Sequence, residues 1–258
     1  MKGKMLLGLT AILMLTGAAV PVKADDVWKF DAQRFVLKEY TGTETDVVVP
    51  DTMDEGVPVK RLGTQLLAGS ETLTSVVVPD SVTILDVGAL SYDNNLSEIT
   101  LSSNLINIGW NAISSNDALT ELTIPASVCI IDSYAVSGCY ALKKIVFEGA
   151  CPLIGSEAFV MLSDDVVIYV PDDQIEEYKK VFEENNKNLN IQPSGKPAVL
   201  YSAEDYLDTE NLTFDAETGS ITGYNGMNTR LTIPESIDGV PVKAIGKRAL
   251  WEDPLLGY

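Results

Sequence analysis

The amino-acid sequence predicts a solenoid, in which short parallel strands from successive units stack side by side. Two observations carry this prediction: a period of 23 residues without gaps, and the same side-chain chemistry at fixed offsets inside each period. The clearest units open at Leu73, Leu96, Leu119 and Leu142. A unit of this length cannot bury its apolar face alone and does so against its neighbours.

Each unit starts with the pattern of a short buried strand. Its first, fourth and sixth residues are mostly apolar and Pro often follows, as at Leu119, Leu122, Ile124 and Pro125. Pro is expected to end the strand, where its missing N–H does not disturb the ladder. The rest of each unit is expected to form a short helical or irregular convex side. A small residue recurs there at one offset, which indicates a tightly packed turn: Ala89, Ala112, Ala135 and Ala158.

The repeated region has a distinct segment at each end. Upstream, residues 44–72 carry the same apolar marks with six extra residues. Downstream, a helix is predicted, because Ile175, Tyr178 and Phe182 fall on one face and Asp173 is the expected N-cap. A solenoid needs its last apolar layer covered, so this helix is predicted to be a terminal cap.

The same patterns predict the domain boundaries. Residues 1–24 have a basic start and a short apolar run, which predicts a cleaved secretory signal peptide. The array with its end segments is assigned to 25–192 and a Pro- and Gly-containing linker to 193–204. Residues 205–258 repeat the beginning of the array, including Gly-Val-Pro-Val-Lys, and are predicted to be the incomplete start of a second array. We therefore expect the chain to be a fragment, or this last segment to be poorly ordered alone.

The units LTSVVVPDSVTILDVGAL and LTELTIPASVCIIDSYAVSGC resemble BspA-type leucine-rich repeats, a class found in secreted and surface proteins of anaerobic bacteria. Ile108-Gly109 and Ile154-Gly155 keep the Ile-Gly step of that family, Phe159 keeps its aromatic residue after Ala, and Cys139 keeps its late Cys. The resemblance covers residues 27–192, and the opening motif again from about 213. It implies a leucine-rich-repeat solenoid with an adhesion or partner-binding role.

Composition argues against several function classes. The formal net charge is −19, so phosphate backbones and anionic membrane surfaces are repelled. The chain has no His, and no phosphate-binding, dinucleotide-binding or calcium-loop motif. We therefore predict no catalysis, no cofactor and no metal site. No apolar stretch after the signal segment is long enough to span a membrane, so no membrane insertion is expected after cleavage.

Three cysteines are present, and an odd number cannot all pair within one molecule. Cys151 falls at an apolar offset and is expected to be a small buried residue. Cys129 and Cys139 lie at offsets without an inward pattern. A Cys129–Cys151 bridge is disfavoured, because their offsets differ by one and point to opposite sides.

The candidate binding surface is the outward face of the predicted sheet. The second, third and fifth residues of each strand are expected to point away from the core, Val166 among them. On this face, basic and aromatic side chains resemble those of binding hot spots, with acidic side chains beside them. The predicted contact residues are Lys143, Lys144, Tyr169, Glu98 and Glu121.

The sequence therefore predicts a secreted or cell-surface binding or adhesion module that recognises an extracellular protein or glycan through its solenoid surface. The alternative is a structural spacer of a larger surface protein, whose functional domain lies beyond residue 258.

Overall fold

The structure is a computed structural model that describes residues 27–54, 56–185, 189–199, 212–224 and 233–246. It confirms the predicted solenoid of stacked parallel strands with a helical cap. The predicted signal peptide lies outside the described residues.

The predicted sheet contains one strand from each turn. Within a strand, buried and outward side chains alternate: Leu122 and Ile124 are buried, whereas Glu121 and Thr123 are exposed. The first two strands pair in parallel at an offset of 29 residues, and the later pairs have the 23-residue offset, as between Ile145 and Ile168. This first sheet consists of a three-stranded and a four-stranded ladder: β3 (Asp46–Val48), β7 (Ser75–Val77), β9 (Glu98–Thr100), and β11 (Glu121–Ile124), β13 (Lys144–Phe147), β15 (Val167–Val170), β16 (Asn190–Pro193).

The convex side contains a second parallel sheet, which the sequence did not reveal. The twelfth and thirteenth residues of each unit form a strand of only two residues, and a longer antiparallel hairpin precedes the series. Two residues are too short for an alternating pattern to be visible. In order across this sheet, the strands are β1 (Trp28–Asp31), β2 (Val36–Tyr40), β6 (Arg61–Leu62), β8 (Ile84–Leu85), β10 (Asn107–Ile108), β12 (Ile130–Ile131) and β14 (Leu153–Ile154). A small hairpin, β4 (Thr52–Met53) and β5 (Val57–Pro58), lies between β3 and β6 in the chain.

A third side of each turn, residues 87–92 and their equivalents, is joined to its neighbours by backbone hydrogen bonds. The Leu90 N–H donates to the Ala112 carbonyl at 2.8 Å, and the Val136 N–H donates to the Ala158 carbonyl at 2.9 Å. Ala89, Ala112, Ala135 and Ala158 are all fully buried. Their burial is what a tightly packed turn requires.

Two columns of residues on the third side adopt left-handed backbone angles. Both columns keep the 23-residue period, yet only three of their ten members are glycine, and most L-residues adopt this conformation at a cost. The backbone therefore repeats at positions where the side chains do not. The first column is Gln65, Gly88, Asn111, Tyr134 and Glu157, and the second is Gly69, Tyr92, Ser115, Gly138 and Met161.

The last turn is covered by α1 (Ile175–Asn185), as predicted. Tyr178 and Phe182 are buried against Phe147 and Phe159, with ring centroids 4.9 Å apart for Phe147–Tyr178 and 5.5 Å apart for Phe159–Phe182. The Tyr178 hydroxyl donates to the Gly149 carbonyl at 3.1 Å. Burial raises the pKa of Tyr178, so its hydroxyl stays protonated as a donor. Apolar burial and one directed hydrogen bond therefore hold the cap in place.

The predicted N-cap role of Asp173 is wrong. The helix begins two residues later, and the Gln174 carbonyl accepts the Tyr178 N–H at 3.1 Å. The carboxylate of Asp173 instead accepts the N–H of Ala198 at 2.8 Å. This acidic residue secures the chain that follows the cap.

The segment after residue 211 repeats the beginning of the array. The hairpin of β17 (Leu212–Asp215) and β18 (Ser220–Tyr224) pairs Leu212 with Tyr224, as β1 and β2 pair Trp28 with Tyr40, with the same register shift. The other strands of this segment are β19 (Ser236–Ile237), β20 (Val240–Pro241) and β21 (Ala244–Ile245), paired as β4, β5 and β6 are. That residues 205–258 begin a second array, separated from the first by a linker, stays a prediction.

The left-handed columns predict opposite effects for two substitutions. Gly138→Ala should lower the free energy of unfolding by about 1–2 kcal/mol, because φ is +71° and the new Cβ would lie 3.1 Å from Ser115 Oγ. Met161→Gly, in the same column at φ 56°, should not destabilise and should add up to about 1 kcal/mol. Urea denaturation of both variants measures this, and equal destabilisation would contradict it.

The cap predicts a large effect at Phe182. Phe182→Ala should cost about 3–5 kcal/mol, because it leaves a cavity among the three rings that Phe182 contacts. Leu153→Ala is the control, since Leu153 is 73% exposed and its truncation should change stability by less than about 0.5 kcal/mol. Thermal and urea unfolding of the two variants compare them directly; a small loss at Phe182 would mean that the helix is dispensable.

Candidate binding surface

The structure places the predicted contact residues on one side of the molecule. Glu98 in β9, Glu121 in β11 and Lys144 in β13 are exposed, and Lys143 lies exposed directly before β13. Tyr169 in β15 is half-buried. Lys144 Nζ lies 2.9 Å from Glu121 Oε2, so these two side chains form an ion pair between neighbouring turns.

One outward assignment is wrong. Val166 was expected on the face, but it is buried and its N–H donates to the Ser163 carbonyl at 3.1 Å. Leu142 makes the corresponding bond to Cys139 one turn earlier. Val166 therefore takes the buried position that opens the other units, because Asp165 at that offset is exposed.

A groove lies at the C-terminal end of this face. Its volume is about 420 Å³, and it contains Lys144 and Tyr169 from two neighbouring strands. Lys143, Glu98 and Glu121 are outside its lining. The remaining lining residues are Val146, Phe147, Glu148, Pro171, Ser194, Lys196, Pro197 and Val199.

Part of this groove is formed by residues 194–199, which we call the strap. The strap lies within the segment that the sequence suggested was a linker, yet it is tied to the array. The Gly195 N–H donates to Asp172 Oδ1 at 2.8 Å, and the Val199 N–H donates to the Glu148 carbonyl at 2.8 Å. Its backbone is thereby positioned beside β13 and β15. The only sequence signal for this was the pair Asp172 and Asp173, whose carboxylates both accept strap N–H groups.

The groove combines charge with apolar surface. Lys144 and Lys196 contribute ammonium groups and Glu148 one carboxylate. Val146, Tyr169 and the prolines supply apolar contact area, and an aromatic ring beside basic side chains is typical of interface hot spots.

The opposite end of the face is acidic, and hydroxyl groups of the same face donate hydrogen bonds to its carboxylate at Asp46. The carboxylate of Asp46 accepts hydrogen bonds from the hydroxyls of Ser75 at 2.6 Å and Thr74 at 3.1 Å. These bonds, with that of Thr45, hold the pKa of Asp46 below its ordinary value. The face therefore changes from acidic to basic along the solenoid axis.

Comparison with known proteins identifies the repeats. The family model for the BspA type leucine-rich repeat region matches residues 60–190 in six copies. The chain belongs to the BspA-type leucine-rich repeat family. No curated protein matches it.

Solved structures with similarity to this BspA-type chain are also leucine-rich repeat proteins. One from Bacteroides capillosus is 36% identical, covers 44% of this chain and 86% of its own, and has a TM-score of 0.39. The leucine-rich repeat protein of T. pallidum is 21% identical over 65% and 99% of the two chains, with a TM-score of 0.42. A leucine-rich cell surface protein from Faecalibacterium prausnitzii is 22% identical over 67% and 39%, with a TM-score of 0.43. The family assignment rests on the repeats and not on these superpositions.

A BspA-type solenoid is a protein-interaction module and is typically not an enzyme. Among the described residues, no cluster of three or more acidic or sulfur-containing side chains is arranged to hold a metal ion. The same part of the chain has no helix long and apolar enough to cross a membrane.

A buried polar column accompanies the aliphatic core of these BspA-type repeats. The Asp93 carboxylate is fully buried, accepts the Ser70 N–H at 2.5 Å on Oδ1, and has no hydrogen-bond partner at Oδ2. One turn later, Asn116 donates to the carbonyls of Leu90 and Ile113, both at 2.9 Å. Burial raises the pKa of Asp93 to about 7. A raised pKa often marks a catalytic residue. The Asp93 carboxylate, however, accepts a backbone N–H inside the solenoid, and its role there is structural.

Cys139 occupies the next position of the same column, which corrects the expectation that it has no inward pattern. It is fully buried, and its Sγ donates to the Ile113 carbonyl at 3.3 Å. Cys129, Cys139 and Cys151 are all free thiols, and Cys151 is only partly buried against the core. Burial raises the pKa of Cys139 to about 11 and that of Cys151 to about 12, so both stay protonated at neutral pH.

Asp93→Asn is predicted to stabilise the protein at neutral pH. The folded-state pKa lies above the ordinary value of 3.8, so the unfolded chain loses its proton first and the Asp93 contribution to stability falls between pH 3.8 and about 7. Asn carries no charge there and matches Asn116, so the variant should gain about 1–3 kcal/mol near pH 7 and little near pH 4. Denaturation of both proteins across this range tests the sign; a gain that is constant with pH would contradict it.

Proposed function

We propose that this chain acts outside the cell as a non-catalytic binding module, which contacts a protein partner through the groove end of its first sheet. Family membership supports the general role of protein interaction. The predicted signal peptide and the cell-surface relative support a secreted or surface location. A glycan partner is the competing outcome.

The observation that carries the proposal is the groove of about 420 Å³. Its lining brings together Lys144 and Tyr169 from two strands with Lys196 from the strap, and includes the apolar residues Val146 and Val199. Basic and aromatic side chains around a concave apolar surface favour a hot spot over a merely solvated sheet face. Lys143, Glu98 and Glu121 lie on the same face and are proposed as peripheral contacts.

The second candidate is the structural spacer. The observation that favours it is the recurrence of the opening hairpin geometry at β17 and β18, which gives one chain two starts of the same architecture. A spacer requires length and stiffness but no particular groove. Substitutions in the groove therefore separate the two functions.

Site-specific photo-cross-linking tests the proposed function. p-Benzoylphenylalanine replaces Tyr169 in the groove or, as the matched control, Tyr92, which is 54% exposed on the third side. With the extracellular proteins of the source organism, position 169 should give one discrete cross-linked partner that position 92 does not. Cross-linking at both positions, or at neither position, would contradict the proposal. Absence of cross-linking at both positions would favour the spacer.

The Lys144→Ala variant links the cross-link to the groove chemistry. The Lys144–Glu121 pair is exposed, with side chains 45% and 65% accessible, so its loss should change the free energy of unfolding by less than about 1 kcal/mol. Lys144→Ala should nevertheless reduce the cross-link at position 169. An undiminished cross-link in the folded variant would place the contact elsewhere.

A further inference from the structure

We infer that the groove holds an extended acidic segment of the partner, with a carboxylate between Lys144 and Lys196 and an adjacent apolar side chain against Tyr169. This inference rests on the proposed function and names the chemistry that the groove recognises.

Local charge is the first argument. Acidic residues outnumber basic ones by 37 to 18 in the whole chain, yet the groove lining contains two lysines and one glutamate. Lys143 adds a third positive charge beside it, whereas Asp46 and Glu98 make the other end of the face acidic. Complementary charge steers a partner and fixes its register. An anionic segment is therefore attracted to this end of the face and repelled from the other.

The second argument is that both ammonium groups are available to a ligand. Lys144 is paired with Glu121, but exposed pairs of this kind contribute little, so a ligand carboxylate in the groove can compete for the ammonium group. The backbone of Lys196 is fixed, because its carbonyl accepts the Asp172 N–H at 2.9 Å. The carboxylate of Asp172, which holds the strap, accepts the Gly195 N–H at 2.8 Å.

The third argument is the size and the apolar part of the groove. A volume of about 420 Å³ accommodates a few residues of an extended chain but not a folded domain. Val146, Tyr169 and Pro197 line it together with the exposed Val199. These side chains favour an aliphatic or aromatic residue next to the acidic one, and favour a peptide over a uniformly polar polysaccharide.

Peptide selection tests the inference. A random-peptide phage library is selected on the full chain, and synthetic winners are measured by fluorescence polarisation. The winners should carry Asp or Glu beside an apolar residue, and replacing that acid by its amide should weaken binding by about ten-fold. Lys144→Ala and Lys196→Ala should each weaken binding to a similar extent, and Lys196→Glu should abolish it. Lys180→Ala, at an exposed lysine on α1, should leave it unchanged.

Tyr169→Ala, with Tyr92→Ala as its control on the third side, separates failure of the inference from failure of the proposed function. Peptides that depend on Tyr169 but tolerate loss of their acid and of both lysines would overturn the inference and leave the groove as the binding site. Peptides that are insensitive to Tyr169→Ala would overturn both. Selection of no peptide, or binding of a neutral polysaccharide that competes at the groove, would also overturn the inference.

Discussion

Within the described array, each inner turn buries its aliphatic side chains against the turns before and after it. Leu73, Leu96, Leu119 and Leu142 are almost completely inaccessible for this reason, although no single unit encloses a core. The two end turns lack one neighbour and need a substitute. At the C-terminal end, the substitute is α1, whose Tyr178 and Phe182 pack on Phe147 and Phe159. The position of the groove follows from this constraint, because the chain that leaves the cap returns across the last strands.

The features that were predictable from sequence are those in which side chains repeat. Inward leucines, buried alanines and the apolar face of α1 all carry a periodic chemical signal. The left-handed columns carry none, because side chains as different as Tyr134 and Glu157 adopt the same backbone angle under the control of the stack. Val166 shows a different limit of the periodic signal. The opening offset of its unit holds the polar Asp165, so the next residue, Val166, is buried instead.

The candidate site was predictable only in part, for a physical reason. Lys144 and Tyr169 lie on strands, so alternation placed them on the outward face. The strap is held by its own N–H groups, which every residue except proline possesses, and by carboxylates that resemble an ordinary helix start. Its Pro, Gly and Ser residues are typical of both linkers and tight turns, so they suggested a linker although the strap turns back onto the array. Groove residues such as Lys196 and Val199 therefore had no sequence signature of their own.

The groove draws its lining from β13, β15, the residues directly after these strands and the strap, and no residue upstream of Lys144 lines it. Inserting or deleting whole 23-residue units nearer the N-terminus would thus lengthen or shorten the scaffold while leaving the contact chemistry unchanged. In such an architecture, reach and specificity can evolve separately: one by counting repeats, the other by altering a few side chains at a terminus.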